Sequence, residues 1–337
     1  MSTAAPHPPA AAAAEADWRP SATAATLRAR ARMLADLRAF FAERDVLEVE
    51  TPILSAAANP DPAIEPLSLD ADLTGAGRRR WFLQTSPEFP MKRLLAAGSG
   101  PIYQVAKVFR ADERGRRHHP EFSMLEWYRP GFDLDGLMDE VAALVRRLLG
   151  CPELPVERIT YRALFETGLG IDPFAAEPAE LKGLADARGM AGADALELDP
   201  DGWLDLLLTH HLEADLGRGR LTFVHDYPPS QAALARIGPG DPPVARRFEL
   251  YLDGMELANG FDELTDSAEQ QRRFVADGAR RAERGQPPLP ADQYLLDAIA
   301  AGLPACAGVA LGLDRLLMAS LGADHIDQVL AFPVEVS

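Results

Sequence analysis

Two glutamates near residue 250 carry the most specific chemical signal in the sequence. The segment 248–261 contains an Asp-Gly pair, the strongest short signal for a hairpin with a two-residue loop. In the resulting register Tyr251 faces Glu256, and Glu249 faces Ala258. Because side chains along a strand alternate between the two faces of a sheet, these four residues are predicted to share one face.

Two carboxylates on one sheet face repel each other unless a cation lies between them. Glu249 and Glu256 therefore predict a Mg²⁺ site, whose remaining oxygen ligands come from a bound phosphate. The alternative is a solvated sheet face that carries two unrelated acids.

A predicted strand, an Arg-rich loop and a return strand span residues 102–128 and form a second group. On the return strand Phe122, Glu126 and Tyr128 fall on one face, which suits a pocket that stacks a ring and holds an amine. Arg110 ends the outgoing strand, where a guanidinium can bind phosphate oxygens through paired hydrogen bonds. The alternative is an ordinary half-buried hairpin in which Arg110 pairs with Glu126.

A third group lies at a strand-to-helix passage, GVALGLDR, over residues 308–315. Glycine permits close approach of the backbone to a ligand, and the N-terminus of a helix favours anions. Arg315, in the first turn of the predicted helix, is well placed against a phosphate. The alternative is an arginine that only pairs with Asp314.

Other catalytic chemistries find no support in the residue spacing. The histidine pairs at 118–119 and 210–211 lack the spacing of helical zinc sites. Cys151 and Cys306 lie far apart and have no neighbouring His–Asp arrangement, so neither a disulfide scaffold nor a thiol nucleophile is expected.

The composition indicates a soluble globular protein of 337 residues, with 47% hydrophobic and 25% charged residues. At this length folding buries a core large enough for one large or two medium domains. The net charge of −17 argues against a nucleic-acid surface as the main binding site. No apolar stretch is long enough to cross a membrane.

The elements that position these groups follow from hydrophobic spacing and turn signals. Residues 1–20 are rich in Ala and Pro and are predicted to be disordered, whereas 21–337 are predicted to form the ordered domain. Residues 23–44 have the spacing of an amphipathic helix, and 46–54 form a strand at an edge or interface because Pro52 lacks an N–H. A helical segment with few chemical signals follows at about 151–221.

Near the C-terminus a capping box, Asp266 with Glu269, begins a helix that ends at Gly285. The last helix begins near Leu313. The order of helix, mostly antiparallel strands and helix predicts an α+β fold.

Together these groups resemble the three signature motifs of class II aminoacyl-tRNA synthetases. Motif 1 resembles the long helix plus VLEVETP at 46–52, motif 2 resembles 108–122, and motif 3 resembles GLDR at 312–315. The resemblance covers nearly everything from Ser21 to the end. It implies the class II catalytic fold, a mostly antiparallel sheet flanked by helices.

Within that class the chain is similar to the lysyl subclass, in TSPEF at 85–89, RFE at 247–249 and ELANGFDEL at 256–264. Two departures stand out. Motif 1 begins too early for an OB-type anticodon-binding domain before it, and Ala310 replaces a glycine of the amino-acid pocket. Both departures resemble the elongation factor P β-lysine ligases, a family of truncated paralogues.

This resemblance implies an ATP site in motifs 2 and 3. Arg110 would hold the α-phosphate and the amino-acid carboxylate, Phe122 would stack on adenine, and His118 and Arg315 would contact the β- and γ-phosphates. Arg110 and Arg315 are the catalytic residues in this interpretation. The family's usual Arg-x-Glu is altered here, so either Asp112 or Glu113 contacts adenine. The same resemblance assigns Mg²⁺ to Glu249 and Glu256.

It also implies a pocket for the substrate ammonium groups, and three carboxylates there suit a substrate with two ammonium groups. Asn259 has the wrong parity in the simple hairpin register, so a bulge or bend is predicted near Gly260. The implied substrate-binding residues are Ser86, Glu88, Glu126, Tyr128, Asn259, Glu263 and Ala310.

The function implied is that of an AMP-forming ligase, which activates (R)-β-lysine with ATP and attaches it to a lysine of elongation factor P. The family implies a cytoplasmic homodimer formed through motif 1, without tRNA or membrane as partner. One alternative is a truncated synthetase that acylates tRNA or another carrier. The other is a non-catalytic amino-acid sensor, which would be expected to have degenerate phosphate-binding residues.

Overall fold

The computed structural model describes residues 18–190, 192 and 195–337. The predicted disordered segment therefore lies outside the described residues up to position 17. The Ser21 amide donates to the Ala331 carbonyl at 2.9 Å, which joins the start of the predicted domain to the C-terminal segment.

The secondary structure alternates between short helices and strands. The helices are α1 (Ala24–Ala42), α2 (Glu88–Ala96), α3 (Leu134–Leu149), α4 (Tyr161–Leu169), α5 (Pro178–Ala187), α6 (Pro200–Leu207), α7 (Ser267–Glu283), α8 (Gln293–Gly302) and α9 (Leu313–Leu321). A π-helical turn (Leu208–Leu212) and 3₁₀ turns (Glu213–Asp215, Pro229–Gln231, Ile326–Gln328) accompany them. The strands are β1 (Leu47–Glu48), β2 (Leu54–Ser55), β3 (Ser68–Ala71), β4 (Arg79–Leu83), β5 (Ile102–Phe109), β6 (Glu121–Pro130), β7 (Val156–Thr160), β8 (Leu221–Tyr227), β9 (Ile237–Gly238), β10 (Val244–Leu252), β11 (Met255–Asp262) and β12 (Cys306–Gly312).

The large sheet has the order β1-β5-β6-β12-β11-β10-β8-β7, with β9 added beside β10. Its pairs are antiparallel except β1 with β5 and β7 with β8, which are parallel. A second sheet pairs β2, β4 and β3. The predicted α+β class, with a mostly antiparallel sheet flanked by helices, is confirmed.

The first helix forms where its apolar spacing predicts it. Thr23 caps it by accepting a hydrogen bond from the Thr26 amide at 3.1 Å, which satisfies one of the free amides at the helix start. Its buried face carries Leu37 and Phe41, which belong to the main core. That core also contains Trp127 of β6, so α1 packs on the face of the sheet opposite the candidate site.

The segment 46–54 contains two short strands rather than the single strand that the sequence predicts. β1 forms the edge of the large sheet beside β5, and β2 pairs with β4 in the small sheet. Pro52 lies between them and has no N–H to donate, so ladder pairing stops there and the chain moves to the other sheet.

The segment 151–221 is not purely helical, so the prediction for it was wrong in part. β7 lies within it and pairs in parallel with β8 at the far edge of the large sheet. The helices of this segment bury Phe165, Trp203 and Leu207 in a separate cluster against β8. Parallel pairing between distant strands leaves no local turn signal, which is why β7 was missed.

The capping box at the start of α7 is confirmed in one of its two hydrogen bonds. The Asp266 carboxylate accepts from the amides of Ala268 and Glu269. The Glu269 side chain pairs instead with Arg272 and Arg273 one turn later. α7 ends two residues before Gly285, whose φ of +69° is the left-handed conformation typical after a helix. Among the described residues, no helix is long and apolar enough to cross a membrane.

Candidate active site

The β10–β11 hairpin has the predicted two-residue loop. Asp253 and Gly254 both have positive φ, at +49° and +66°, as a type I′ turn requires. The pair of Tyr251 with Glu256 is confirmed. The predicted pair of Glu249 with Ala258 is wrong, because Glu249 faces Asn259 instead.

A bulge at Leu257 causes this difference. Ala258 pairs with Leu250 and Glu256 pairs with Tyr251, so Leu257 is the extra residue on β11. The bulge was predicted near Gly260, three residues further along. Its effect is the one that the sequence argument required, because it turns Asn259 onto the face that carries Glu249.

Four site residues form one row across the centre of the sheet. Glu126 of β6 pairs with Ala310 of β12, Ala310 pairs with Asn259 of β11, and Asn259 pairs with Glu249 of β10. Adjacent strands lie about 4.8 Å apart, so the row spans roughly 14 Å. One end is therefore separated from the other by the length of a small substrate.

A cavity of about 550 Å³ covers this row. The predicted site residues that line it are Ser86, Glu88, Arg110, Glu126, Tyr128, Glu249, Glu256, Asn259, Glu263 and Ala310. The remaining predicted residues do not line the cavity; they are Asp112, Glu113, His118, Phe122 and Arg315. The structure thus brings the predicted substrate pocket and metal carboxylates into one space, with the motif 2 loop beside it.

One end of the cavity is lined by acidic side chains that are almost fully buried. Glu126 is buried, and its two oxygens accept hydrogen bonds from Ser86 Oγ at 2.7 Å and Tyr128 OH at 2.6 Å. Burial, together with the negative charge of Glu88, raises the pKa of Glu126 to about 7. Burial also raises the pKa of Glu263 to about 8. Acids held this way favour a positively charged guest.

The Asn259 side chain extends this acidic end toward the middle of the row. Its Oδ1 atom is buried and has no hydrogen-bond partner within the described part of the chain. An unpaired buried acceptor costs about 1–3 kcal/mol, which a bound donor such as an ammonium group would recover.

Lys92 is a residue of this end that the sequence argument missed. Its Nζ atom lies 2.6 Å from Glu88 Oε1 and 2.6 Å from Glu263 Oε2. Two of the three carboxylates assigned to the substrate therefore already contact a cation of the protein. The available signal was the i, i+4 spacing of Glu88 and Lys92 on α2.

The pH dependence of the free energy of unfolding should reveal the raised pKa of Glu126. A carboxyl whose pKa is raised from 4.5 to about 7 on folding stabilises the protein fully below pH 4.5, and loses that contribution as the pH rises through 7. We expect the wild-type free energy of unfolding, minus that of Glu126→Gln, to fall by on the order of 3 kcal/mol between pH 5 and pH 8. Urea unfolding of both proteins at each pH measures this difference. Parallel pH dependences would contradict it.

The other end of the cavity carries arginine side chains beside the hairpin carboxylates. Arg110 Nη1 lies 3.5 Å from Glu113 Oε1, and its guanidinium carbon lies 5.2 Å from the centre of the Phe122 ring. The alternative pair of Arg110 with Glu126 is not formed. The Arg110 Nε atom is buried without a hydrogen-bond partner among the described residues, so this guanidinium retains a donor for a ligand.

Arg315 connects the motif 2 loop to the hairpin. Its guanidinium donates to the Glu256 carbonyl at 2.9 Å, lies 3.3 Å from Glu256 Oε2, and donates to His118 Nε2 at 2.6 Å. Partial desolvation and the neighbouring Arg315 charge lower the pKa of His118. The Nε2 atom of His118 accepts this hydrogen bond, because a guanidinium can only donate.

The alternative pair of Arg315 with Asp314 is also not formed. The buried Asp314 carboxylate pairs with Arg30 of α1 and accepts a hydrogen bond from the Ser123 amide of β6 at 2.6 Å. Asp314 thus joins α1 of motif 1 to the residue that follows motif 2, while the neighbouring Arg315 contacts His118 and Glu256.

The glutamates at the hairpin are suited to hold a cation together with a ligand. Glu249 accepts hydrogen bonds from Arg247 and from Tyr251 OH, and burial raises its pKa, as does the charge of Glu256. Among the described residues no group of three Asp, Glu, His or Cys side chains converges on a metal position. Two carboxylates fit Mg²⁺, which takes one or two from a protein and its other ligands from phosphates and water.

The segment 56–66, which is rich in Pro and Ala and is here called the strap, borders the cavity. Its residues 59 and 61–64 line the cavity. The fully buried Arg281 of α7 binds the strap, with Nη2 2.6 Å from Glu65 Oε2 and Nη1 3.3 Å from the Asp61 carbonyl. The Glu65 carbonyl then accepts from the Ala111 amide at 2.7 Å, next to Arg110. Sequence spacing carries no signal for this long-range brace.

Comparison with known proteins agrees with this geometry. A family model described as class II tRNA synthetases (D, K and N) matches residues 12–336. Curated proteins named elongation factor P–(R)-β-lysine ligase match over nearly the whole chain. That of Vibrio vulnificus (strain YJ016) is 50% identical over 326 residues, 96% of this chain and 100% of the relative. The chain belongs to this ligase family of the class II synthetases.

Two further members of the family have similar coverage. The ligase of Vibrio cholerae serotype O1 is 51% identical over 320 residues, 94% of this chain and 98% of the relative. That of Salmonella dublin is 48% identical over 323 residues, which are 95% of this chain and 98% of the relative. Both resemblances predicted from the sequence, to the synthetase class and to the ligase family, are confirmed.

Proposed function

We propose that the protein activates (R)-β-lysine with ATP and transfers the β-lysyl group to a lysine side chain of elongation factor P. Membership of the ligase family supports this activity. The observation that carries it is the row across the sheet, from Glu126 to Glu249, with an acidic slot at one end and guanidinium groups and carboxylates at the other. An amino acid with two ammonium groups and a nucleoside triphosphate fit this distribution of charge.

In the first step the carboxylate of β-lysine attacks the α-phosphorus of ATP, and pyrophosphate leaves. The acyl adenylate forms without a covalent bond to the protein. Arg110 holds the carboxylate beside the α-phosphate and stabilises the negative charge that develops there. Glu249 and Glu256 would hold Mg²⁺, whose charge neutralises the phosphate oxygens when it is bound. His118 and Arg315 contact the β- and γ-phosphates.

In the second step an acceptor lysine amine attacks the acyl carbon of the adenylate. An amide bond forms, the bond to phosphate breaks, AMP leaves and the amine loses a proton. Glu126 and Glu263 hold the ammonium groups of the β-lysyl part in place, with Glu88, Tyr128 and Asn259 around them, so the acyl carbon stays fixed beside Arg110.

We assign adenine to Phe122, by stacking, and to Glu113 rather than Asp112. Glu113 turns toward Arg110, with 3.5 Å between their charged atoms. Asp112 is exposed and occupies the turn itself, with φ of +62°. The extra residue between Arg110 and the acid is accommodated by that turn.

We further propose a cytoplasmic homodimer that acts without tRNA. Leu27, Leu47 and Ile53 of the motif 1 region are exposed large apolar side chains, as expected of a surface that meets a second copy. The net charge of −17 disfavours tRNA. Cys151 and Cys306 are both free thiols, as in a reducing compartment.

Mass spectrometry of elongation factor P tests the proposed function. Incubation with the protein, ATP, Mg²⁺ and (R)-β-lysine should add one β-lysyl group to one lysine of the factor. Parallel reactions with tRNA as acceptor should leave the tRNA uncharged. Acylation of tRNA alone would favour the truncated synthetase, and absence of pyrophosphate exchange would favour the non-catalytic sensor.

Ala310 is expected to set the preference for the position of the amine. It lies in the row between Glu126 and Asn259, so its methyl group takes space beside the substrate backbone. We expect Ala310→Gly to raise the activation of α-lysine relative to (R)-β-lysine by about tenfold, since such differences in packing are worth 1–3 kcal/mol. The ratio of kcat/KM in pyrophosphate exchange measures this effect. An unchanged ratio would exclude Ala310 as the determinant.

A further inference from the structure

Lys92 is a buried cation that contacts two carboxylates lining the substrate pocket, and the mechanism above gives it no role. Its side chain is 1% exposed, and so is that of Glu263. Its ammonium bridges Glu88 of α2 and Glu263, which follows β11. Burial alone would lower the pKa of Lys92, but the charges of Glu263 and Glu88 outweigh burial and raise it, so the side chain stays charged.

A bound cation favours the ionised form of the carboxylates at the acidic end, and in that state their charges add to a definite number once Lys92 is included. Glu88, Glu126 and Glu263 contribute three negative charges when ionised, and Lys92 returns one positive charge. The remaining two negative charges equal the two ammonium groups of β-lysine, whose carboxylate lies at Arg110. A buried charge without a partner is costly, so matching of this kind discriminates between ligands.

Neighbouring cations are engaged elsewhere. Arg93, the next residue of α2, is exposed and stacks on Tyr294 at 5.0 Å. Arg236 pairs with Asp262 at 2.6 Å on the outer side of β11. Arg129 is 3.5 Å from Glu140 on the opposite face of the sheet. Within the described part of the chain, Lys92 is thus the cation in direct contact with these carboxylates.

We propose that Lys92 is a positioning residue that limits the net negative charge of the substrate pocket to two when its three carboxylates are ionised, and thereby selects amino acids with two ammonium groups. It also holds the carboxylates of Glu88 and Glu263 apart and in place, with one oxygen of each left for the substrate. The Glu263 oxygen opposite Lys92 lies beside Gly308, where a Cβ atom would come within 2.6 Å of it. The inference rests on the proposed function and names a residue that determines its substrate specificity.

Truncation with chemical rescue tests this role. Lys92→Ala removes the atoms that propylammonium can replace, and leaves their space between Glu88 and Glu263. We expect the KM for (R)-β-lysine in pyrophosphate exchange to rise by at least about tenfold, since a buried pair has been broken, with the KM for ATP changed less than about twofold. Propylammonium should restore the KM for β-lysine in a saturable way, and 1-propanol should not.

Arg93→Ala is the matched control, because it removes a cation from the same helix outside the pocket. It should leave both KM values unchanged. An equal rise of the two KM values in Lys92→Ala, or equal rescue by propylammonium and 1-propanol, would overturn the inference. Lys92→Met keeps the volume of the side chain and should show the same KM increase if Lys92→Ala does not fold.

A comparison of two substrates with the wild-type protein also tests the inference, without any variant. It should activate (R)-β-lysine at least about 100-fold better than (R)-3-aminohexanoate, which lacks the distal ammonium group, because one carboxylate would stay unpaired. Equal activation of the two acids would overturn the inference while the proposed ligase activity stood. Absence of exchange with either acid would instead overturn the proposed function, and this inference with it.

Discussion

Arg110→Ala is expected to lower the rate of ATP–pyrophosphate exchange by roughly 10³-fold, while the protein remains folded. Arg110 borders the cavity and has its Nε atom free of hydrogen bonds among the described residues. Its ion pair with Glu113 is partly exposed, at 3.5 Å, so its loss has little effect on stability. The variant is therefore expected to lose stabilisation of the transition state, in which charge develops between the carboxylate and the α-phosphate.

Two further variants serve as controls for this prediction. Arg110→Lys keeps the charge but removes the paired hydrogen bonds of a guanidinium, so it should recover only part of the activity. Arg272→Ala removes an exposed arginine of α7 and should exchange at the wild-type rate. Wild-type exchange by Arg110→Ala, with an unchanged urea midpoint, would remove Arg110 from the mechanism.

Glu256→Gln is expected to reduce exchange by about 10²-fold at low Mg²⁺ and to raise the Mg²⁺ concentration for half-maximal rate by at least about tenfold. Glu256 is the better test of the metal site, because Glu249 also holds Arg247 and Tyr251 in place. The Glu256 carbonyl, which Arg315 also contacts, is retained in the variant. Titration of the exchange rate with Mg²⁺ measures both effects.

Glu157→Gln is the matched control for the loss of one carboxylate. Glu157 lies on β7 at the sheet edge, where it pairs with Arg220 at 3.2 Å. Its Mg²⁺ dependence should equal that of the wild type. If Glu256→Gln also kept the wild-type dependence, the assignment of Mg²⁺ to the hairpin would be wrong, and the two glutamates would only orient Arg315 and Arg247.

The regulator alternative is weakened by the geometry of the phosphate end. Arg110, Arg315, Glu249 and Glu256 are present and converge around one cavity and the loop beside it. A sensor needs the amino-acid pocket but no groups for the departing pyrophosphate. The two predictions above also separate these cases, since a sensor has no exchange rate to lose.

Local features of the fold could be predicted from the sequence because neighbouring residues determine them. The Asp253-Gly254 turn, the Asp266 cap and the spacing of Leu37 and Phe41 were all confirmed. Each depends on backbone preferences or periodicity within a few residues. The residue types of the proposed site, acids at one end and arginines with two glutamates at the other, remain predictions from resemblance to motifs.

What only the tertiary structure decided is how those residues face one another. The bulge at Leu257 puts Asn259 in line with Glu249. The sequence argument required a bulge but placed it near Gly260, because strands on both sides of β11 select the register. The bridge from Lys92 to Glu263 and the brace from Arg281 to Glu65 join residues over 150 positions apart. The sequence determined which groups are present; burial and long-range pairing determined their charges and partners, since both depend on packing between distant segments.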